Sequence, residues 1–171
     1  MKNKFLVLML ALVCVSCLAQ APAPKKPDWT PFSFLIGSWV ADPNPKEPGV
    51  TGSTVFRFDL DNNVIVRENK ADYPPQEGKP AQHHRDLMVI SADESGALKA
   101  TYWDNEPHTI HYDITVSPGE ISFTVPAGTP GPRFRLVYRN TVKSGVVAGR
   151  FDIAMPGSDF KPYKEWTMHR D

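Results

Sequence analysis

Apolar and polar residues alternate in short runs from Trp29 to Arg170, and each run stops near Gly, Pro, Asp or Asn. Successive side chains of a strand leave opposite faces, so a period of two builds a sheet with one dry face. A helix needs an apolar stripe at a period of about 3.6 instead. Ten runs fit the strand pattern, near 37–42, 53–61, 63–71, 84–92, 97–104, 108–116, 119–125, 132–141, 145–154 and 162–170. One helical turn is expected at Pro31 to Ile36, with Thr30 as N-cap and Pro31 at the first helical position. Ten strands in series, joined by short links, point to an all-β fold. The expected architecture is a single antiparallel up-and-down barrel, because closure removes the edge strands that an open sheet must protect. A two-sheet sandwich is the alternative.

The N-terminal residues read differently. Met1 to Lys4 holds two lysines, Phe5 to Val15 is almost unbroken apolar sequence, and small residues follow through Ala21. That order is the signal-peptide pattern, and the run falls short of the roughly 20 apolar residues of a membrane-spanning helix. Residues 1–19 are therefore expected to be a signal peptide cleaved after Ala19, giving a periplasmic or secreted protein. The alternative is processing at Cys17 with a lipid anchor there, since Val15-Ser16-Cys17 is similar to part of a lipobox. Residues 20–29 are Pro-rich and aperiodic, an extended tether, and residues 30–171 form the barrel domain. No later stretch reaches spanning length, so no transmembrane segment is expected. Cys14 and Cys17 are the two cysteines, both in or beside the signal, so the barrel is expected to hold no internal disulfide. Lys plus Arg and Asp plus Glu each number 19, for a formal net charge of zero. A nucleic-acid partner usually demands a basic face, so that class is set aside. Oligomeric state leaves no signal.

Alternation also assigns faces. Thr54, Phe56, Phe58 and Leu60 share one face of the second run and should point inward. Asp61-Asn62-Asn63 tolerates the positive φ of a tight hairpin, and a two-residue turn there sets even-numbered residues opposite odd-numbered ones. Ile65, Arg67 and Asn69 then face the interior beside Phe56 and Phe58, whereas a three-residue loop would reverse them. An interior cation is costly unless paired or solvated. Arg67 therefore either grips a ligand carboxylate or phosphate in a wet cavity, or forms an internal ion pair with Asp104 or Glu165 as partner.

Tyr102 to Tyr112 is the densest polar and aromatic segment. Leu98, Ala100, Tyr102 and Asp104 share one face, as do His108, Ile110, Tyr112 and Ile114 on the returning strand. A three-residue loop at Asn105 to Pro107 sets Asp104 opposite His108. The pair is then either a hydrogen bond at the barrel rim or an orienting pair for general-base work. His83 and His84 point to opposite faces, beside a long polar loop from Tyr73 to Gln82 that is a candidate lid. They do not make a metal site, which needs several converging ligands. In Arg133 to Arg139, Phe134, Leu136 and Tyr138 should lie inward, with the arginines outward on a solvated face. A bulge near Pro132 would turn Arg133 and Arg135 in. No serine has a nucleophile-elbow context and no glycine-rich segment leads into a helix, so no catalytic or phosphate-binding motif is assigned.

Phe34-Leu35-Ile36-Gly37-Ser38-Trp39, a helical turn running into Gly-x-Trp at the first strand, resembles the opening of calycin barrels. In outline the chain is similar to lipocalins, fatty-acid-binding proteins and nitrobindin-like barrels. It looks most like ten-stranded exported bacterial families of this kind, and ten strands suit the fatty-acid-binding or nitrobindin type better than the lipocalins. The resemblance implies that Trp39 closes the barrel base under Arg170, a structural cation–π contact. Its nitrobindin-like branch also implies haem held by a histidine. Here Trp39 is followed by Val40-Ala41-Asp42 instead of a Gly-rich continuation, and His169 is not spaced from Arg170 as that ligand is. The haem ligand is not carried over, and the cofactor stays open.

Together these readings give an exported barrel that holds a small, partly apolar molecule, anionic where Arg67 is its counter-charge. The candidate ligand contacts are Arg67, Asn69, Tyr102, Asp104, His108 and Tyr112, with no catalytic and no metal-ligating residue assigned. Two alternatives use the same chain: a small barrel enzyme, isomerase or hydrolase, working through Asp104 and His108, and a structural envelope module with a filled barrel.

Overall fold

Short links leave each run few partners besides its neighbours, and the strands pair in sequence order. The computed structural model describes residues 26–171, so the expected signal peptide, Cys17 and residues 20–25 of the tether lie outside the described residues. A 3-10 turn at Thr30–Phe32 precedes ten strands: β1 Gly37–Ala41, β2 Thr51–Asp59, β3 Val64–Tyr73, β4 Gln82–Ala92, β5 Leu98–Asp104, β6 Thr109–Ser117, β7 Glu120–Thr124, β8 Arg133–Asn140, β9 Val146–Ala154 and β10 Lys161–Arg170. Each pairs antiparallel with the next, and β1 pairs with β10, closing the expected barrel in place of a sandwich. The helical turn is shorter than expected and starts differently. Trp29 is its N-cap with no side-chain cap bond, since an indole has no acceptor to offer, and Asp28 Oδ1 takes the Thr30 N–H at 3.0 Å. Among the described residues, no helix is long and apolar enough to cross a membrane.

The end of the barrel carrying the 3-10 turn, the base, is sealed. Phe32 and Leu35 are fully buried. Trp29, the last residue of the expected tether, lies edge-on to Phe32 at 5.5 Å and donates Nε1–H to the Asn62 carbonyl at 2.8 Å. Trp39 donates to the Leu35 carbonyl at 2.7 Å. The Arg170 guanidinium lies 4.6 Å from the Trp39 ring centroid, and its Nη1 reaches the Ile36 carbonyl at 2.8 Å. Gly37 makes room for it: φ is +130°, and a Cβ there would sit 2.2 Å from Arg170 Nη1. Above this plug Phe56, Ile65, Met88, Ile90, Ile121 and Phe123 fill the lower half, none more than 1% exposed. Each such side chain contributes about 1.5–3 kcal/mol of burial.

The β2–β3 link runs from Leu60 to Asn63, with Leu60, Asp61 and Asn62 at φ of 49°, 55° and 64°. It is longer than the expected two-residue turn but also even in length, so Phe56 still pairs with Arg67 and Thr54 with Asn69. The parity of the inner face therefore holds. Leu60 departs from it. The strand ends at Asp59, whose Oδ1 takes the Leu60 N–H at 2.7 Å, and Leu60 is left 67% exposed in the link. Phe58, at the base end of its strand, is also exposed.

Two other expectations change. Arg133 and Arg135 do lie outward, in continuous register with β9, but not on a solvated face. Phe160, from the link after β9, folds back beneath both guanidiniums at 5.0 and 4.5 Å. Arg135 and Arg150 also converge on Asp152, whose side chain is 1% exposed. The long loop after Tyr73 is no cover: residues 75–81 are exposed, and a Gln76–Lys79 bridge prolongs the β3–β4 hairpin past the rim. A different link sits at the opening. β1 ends opposite Met168, and the β1–β2 link lies beside the rest of β10. Lys164 ties it there, bonding Glu47 at 2.9 Å and the Tyr73 hydroxyl at 2.9 Å.

Candidate functional site

Above the apolar layer the inner faces of β3 to β6 turn polar. Arg67 Nη1 donates to Asp86 Oδ1 at 2.6 Å, with the two side chains 5% and 2% exposed. Asn69 Nδ2 donates to Asp86 Oδ2 at 2.8 Å, and Thr54 Oγ1 to Asn69 Oδ1 at 2.7 Å. His84 Nε2 lies 3.2 Å from Asp86 Oδ2 and 3.2 Å from the Tyr102 hydroxyl. Tyr102 donates to Asp104 Oδ2 at 3.1 Å. Asp104 also takes the backbone N–H of Glu106 at 2.9 Å and of His108 at 3.0 Å, with His108 Nδ1 at 2.9 Å. One hydrogen-bonded chain thus runs from the barrel interior to its open end, the mouth.

The charges in this chain hold one another. Burial opposes the Arg67 charge, but the adjacent Asp86 carboxylate, together with Tyr138 and Tyr102, outweighs it and keeps the guanidinium protonated. The hydrogen bond to Asp86 raises the His84 pKa; burial opposes this, and the charges of Asp86 and Glu106 reinforce it. Burial also opposes ionisation of Asp104, yet the hydrogen bonds from His108, Glu106 and Tyr102 hold its pKa below the ordinary carboxylate value. Burial pushes Tyr102, Tyr112 and Tyr138 up, so all three are neutral phenols at pH 7. Arg67 Nε and the Tyr138 hydroxyl are buried donors without a hydrogen-bond partner among the described residues.

Five of the six expected contacts, Arg67, Asn69, Tyr102, Asp104 and His108, belong to this chain. Tyr112 does not join it by a hydrogen bond, and is buried edge-on to Phe123 at 6.4 Å. The partner of Arg67 is Asp86, neither Asp104 nor Glu165. Asp104 is taken up at the rim by His108, and Glu165 is exposed on β10. Asp104 does face His108 across the turn, but the imidazole is 60% exposed, which is the rim arrangement. Sequence reasoning passed over Asp86, and weighed His84 only as half of a pair that makes no metal site. The signal was present: His84, Asp86, Met88 and Ile90 share one parity, and the last two are plainly apolar.

Opposite this polar wall stand Phe134, Phe151 and Trp166, partly buried against the core. Phe134 and Phe151 stack at 5.7 Å, 15° from parallel. Trp166 packs against Gly149, where a Cβ would come within 2.2 Å of the ring. On the outer side, a groove of about 630 Å³ separates the β1–β2 link from β8–β10, lined by Val137, Arg139, Ala148 and Arg150 among others. Among the described residues, no group of three or more His, Cys, Asp or Glu side chains could hold a metal ion. The chain matches no known protein-family model and no curated protein sequence.

Proposed function

We propose that the protein binds a small, partly apolar molecule in the mouth of the barrel. The observation that carries this reading is a change along the barrel axis. Inward side chains of the lower half are dry, whereas Asn69, His84, Tyr102, Phe134, Phe151 and Trp166 face inward and keep contact with solvent. A polar wall opposite an aromatic wall is how small-molecule sites fix orientation and gain burial together. The unpartnered donors on Arg67 and Tyr138 suit a ligand acceptor atom, or a buried water, below that opening. Because Asp86 already neutralises Arg67, an anionic group on the ligand would need another counter-charge.

The calycin-like opening around Trp39 and the signal-peptide pattern of residues 1–19 agree with an exported carrier, free or anchored through Cys17. Native mass spectrometry of the protein from its own host tests the reading. A co-purifying mass, lost on extraction and absent from a Phe134→Ala/Phe151→Ala variant, is expected. A mass retained by that variant moves the site elsewhere, and protein free of any ligand that also takes up no apolar probe sinks the reading. The outer groove supports a second site for the same class of ligand. Binding sensitive to Arg150→Ala but not to the Phe134/Phe151 variant would select it.

A further inference from the structure

Resting on the binding reading above, we propose that His84 is the anion contact of the mouth, and that Glu106 occupies its place until an oxyanion of the ligand displaces it. The ring is anchored on one side only. Nε2 is fixed by Asp86, which is itself held by Arg67 and Asn69. Nδ1 faces Glu106 Oε1 at 3.5 Å, longer than a good N–H···O hydrogen bond of about 2.7–3.2 Å. Glu106 is 63% exposed where His84 is 26% exposed, so this carboxylate reaches the ring from solvent.

The backbone beneath Glu106 is firmly placed. Asn105 takes the Arg85 N–H at 2.8 Å, donates Nδ2 to the His83 carbonyl at 2.8 Å, and donates its own N–H to the Arg85 carbonyl at 3.0 Å. The Glu106 side chain can therefore leave without unravelling the turn.

Charge accounting points the same way. The groups facing His84 are Asp86 from its own strand, Arg67 and Asn69 from β3, Tyr102 and Asp104 from β5, and Glu106 and His108 from the turn. Arg67 cancels Asp86, and Asp104 is engaged by two backbone N–H groups and His108. Protonated His84 is left with Glu106 as its exchangeable counter-ion, and one carboxylate can be traded for another at no cost in net charge. Its raised pKa, set first by the hydrogen bond to Asp86 against burial, keeps the ring cationic closer to neutral pH. The ligand class is a small organic anion with an apolar body for the facing Phe134–Phe151 wall.

Two fluorescent probes separate this from binding as such: 8-anilinonaphthalene-1-sulfonate, and N-phenyl-1-naphthylamine, which has the apolar rings without the charge. Their dissociation constants are measured from about pH 5 to pH 9, across the histidine range. The sulfonate should bind about tenfold or more weakly once His84 is deprotonated, as expected for a lost charged hydrogen bond. Glu106→Gln should tighten it about threefold, the scale of an exposed ion pair, and move the pH midpoint down. His84→Gln should flatten the pH profile, while the neutral probe ignores pH and Glu106→Gln. Should His84→Gln fail to fold, the exposed Glu106→Gln and the wild-type profile decide. Sulfonate binding that is flat in pH, or not tightened by Glu106→Gln, overturns the proposal and leaves the binding reading intact if the neutral probe binds. Binding of neither probe overturns both.

Discussion

Base and mouth are built from the same strands, yet they handle an arginine in opposite ways. At the base, Arg170 stays exposed and lays its face on Trp39, each partner keeping other support. Toward the mouth, Arg67 is buried and its charge is balanced by Asp86, which in turn orients Asn69 and His84. The base is an assembly of separable contacts, so losses there should be local and roughly additive. The mouth is one coupled unit, where removing a member strands its neighbours in a low dielectric.

That contrast can be broken at its strongest point first. Arg67→Ala takes the guanidinium from the buried Asp86, leaving it only Asn69 and His84, and should cost about 3–5 kcal/mol in urea unfolding. The double variant Arg67→Met/Asp86→Leu should recover most of that loss. A double variant as unstable as the single would show that the pair is not coupled. Next, Gly149→Ala forces the Trp166 ring off its seat and should cost about 1–3 kcal/mol, with a change in tryptophan fluorescence. Arg170→Leu, at the base, should cost only about 0.5–1 kcal/mol in the same assay and leave probe binding at the mouth unchanged. A larger loss would mean the base is coupled too.

The smallest effect is a pH signature confined to the mouth. The folded pKa of His84 is raised above its ordinary value of 6.5. Its bond to Asp86 therefore contributes stability that is full below about pH 6.5 and fades as pH rises through the folded pKa. Melting temperature against pH should show that slope in the wild type and lose it in His84→Gln, while Arg170→Leu retains it.

Much of the fold could be read from the residues because it rests on parity. Ten alternating runs, an even link after Asp59 and the Trp39–Arg170 pair all follow from local pattern or local resemblance. What failed to show was which polar groups meet across strands. Asp86 was overlooked because His83, His84, Arg85 and Asp86 form a polar tetrad that looks like a loop end; the parity shared with Met88 and Ile90 marks its inward half, and the register with Asn69 and Asp104 shows which groups it meets. Phe160 was hidden for another reason. It lies in a link, and no periodicity states that a link will fold back under Arg133 and Arg135. Leu60 looked apolar enough for the core, yet the strand ends at Asp59, two residues short of the expected run, with the Asp59 carboxylate taking the Leu60 N–H.

Closure of the sheet has a consequence for how the protein gets folded. Nine of the strand pairings join sequence neighbours and can form as soon as the second strand exists. The tenth is a seam: Trp39 lies opposite Arg170, and Arg170 Nη1 bonds the Ile36 carbonyl 134 residues away. Nucleating contacts this distant is slow, and until they form β1 and β10 present open edges to any other chain. Trp39 also gains its Arg170 cover only when the seam closes. The vulnerable species is therefore a ten-stranded open ribbon, and the lifetime of the finished barrel should depend on how often that seam lets go.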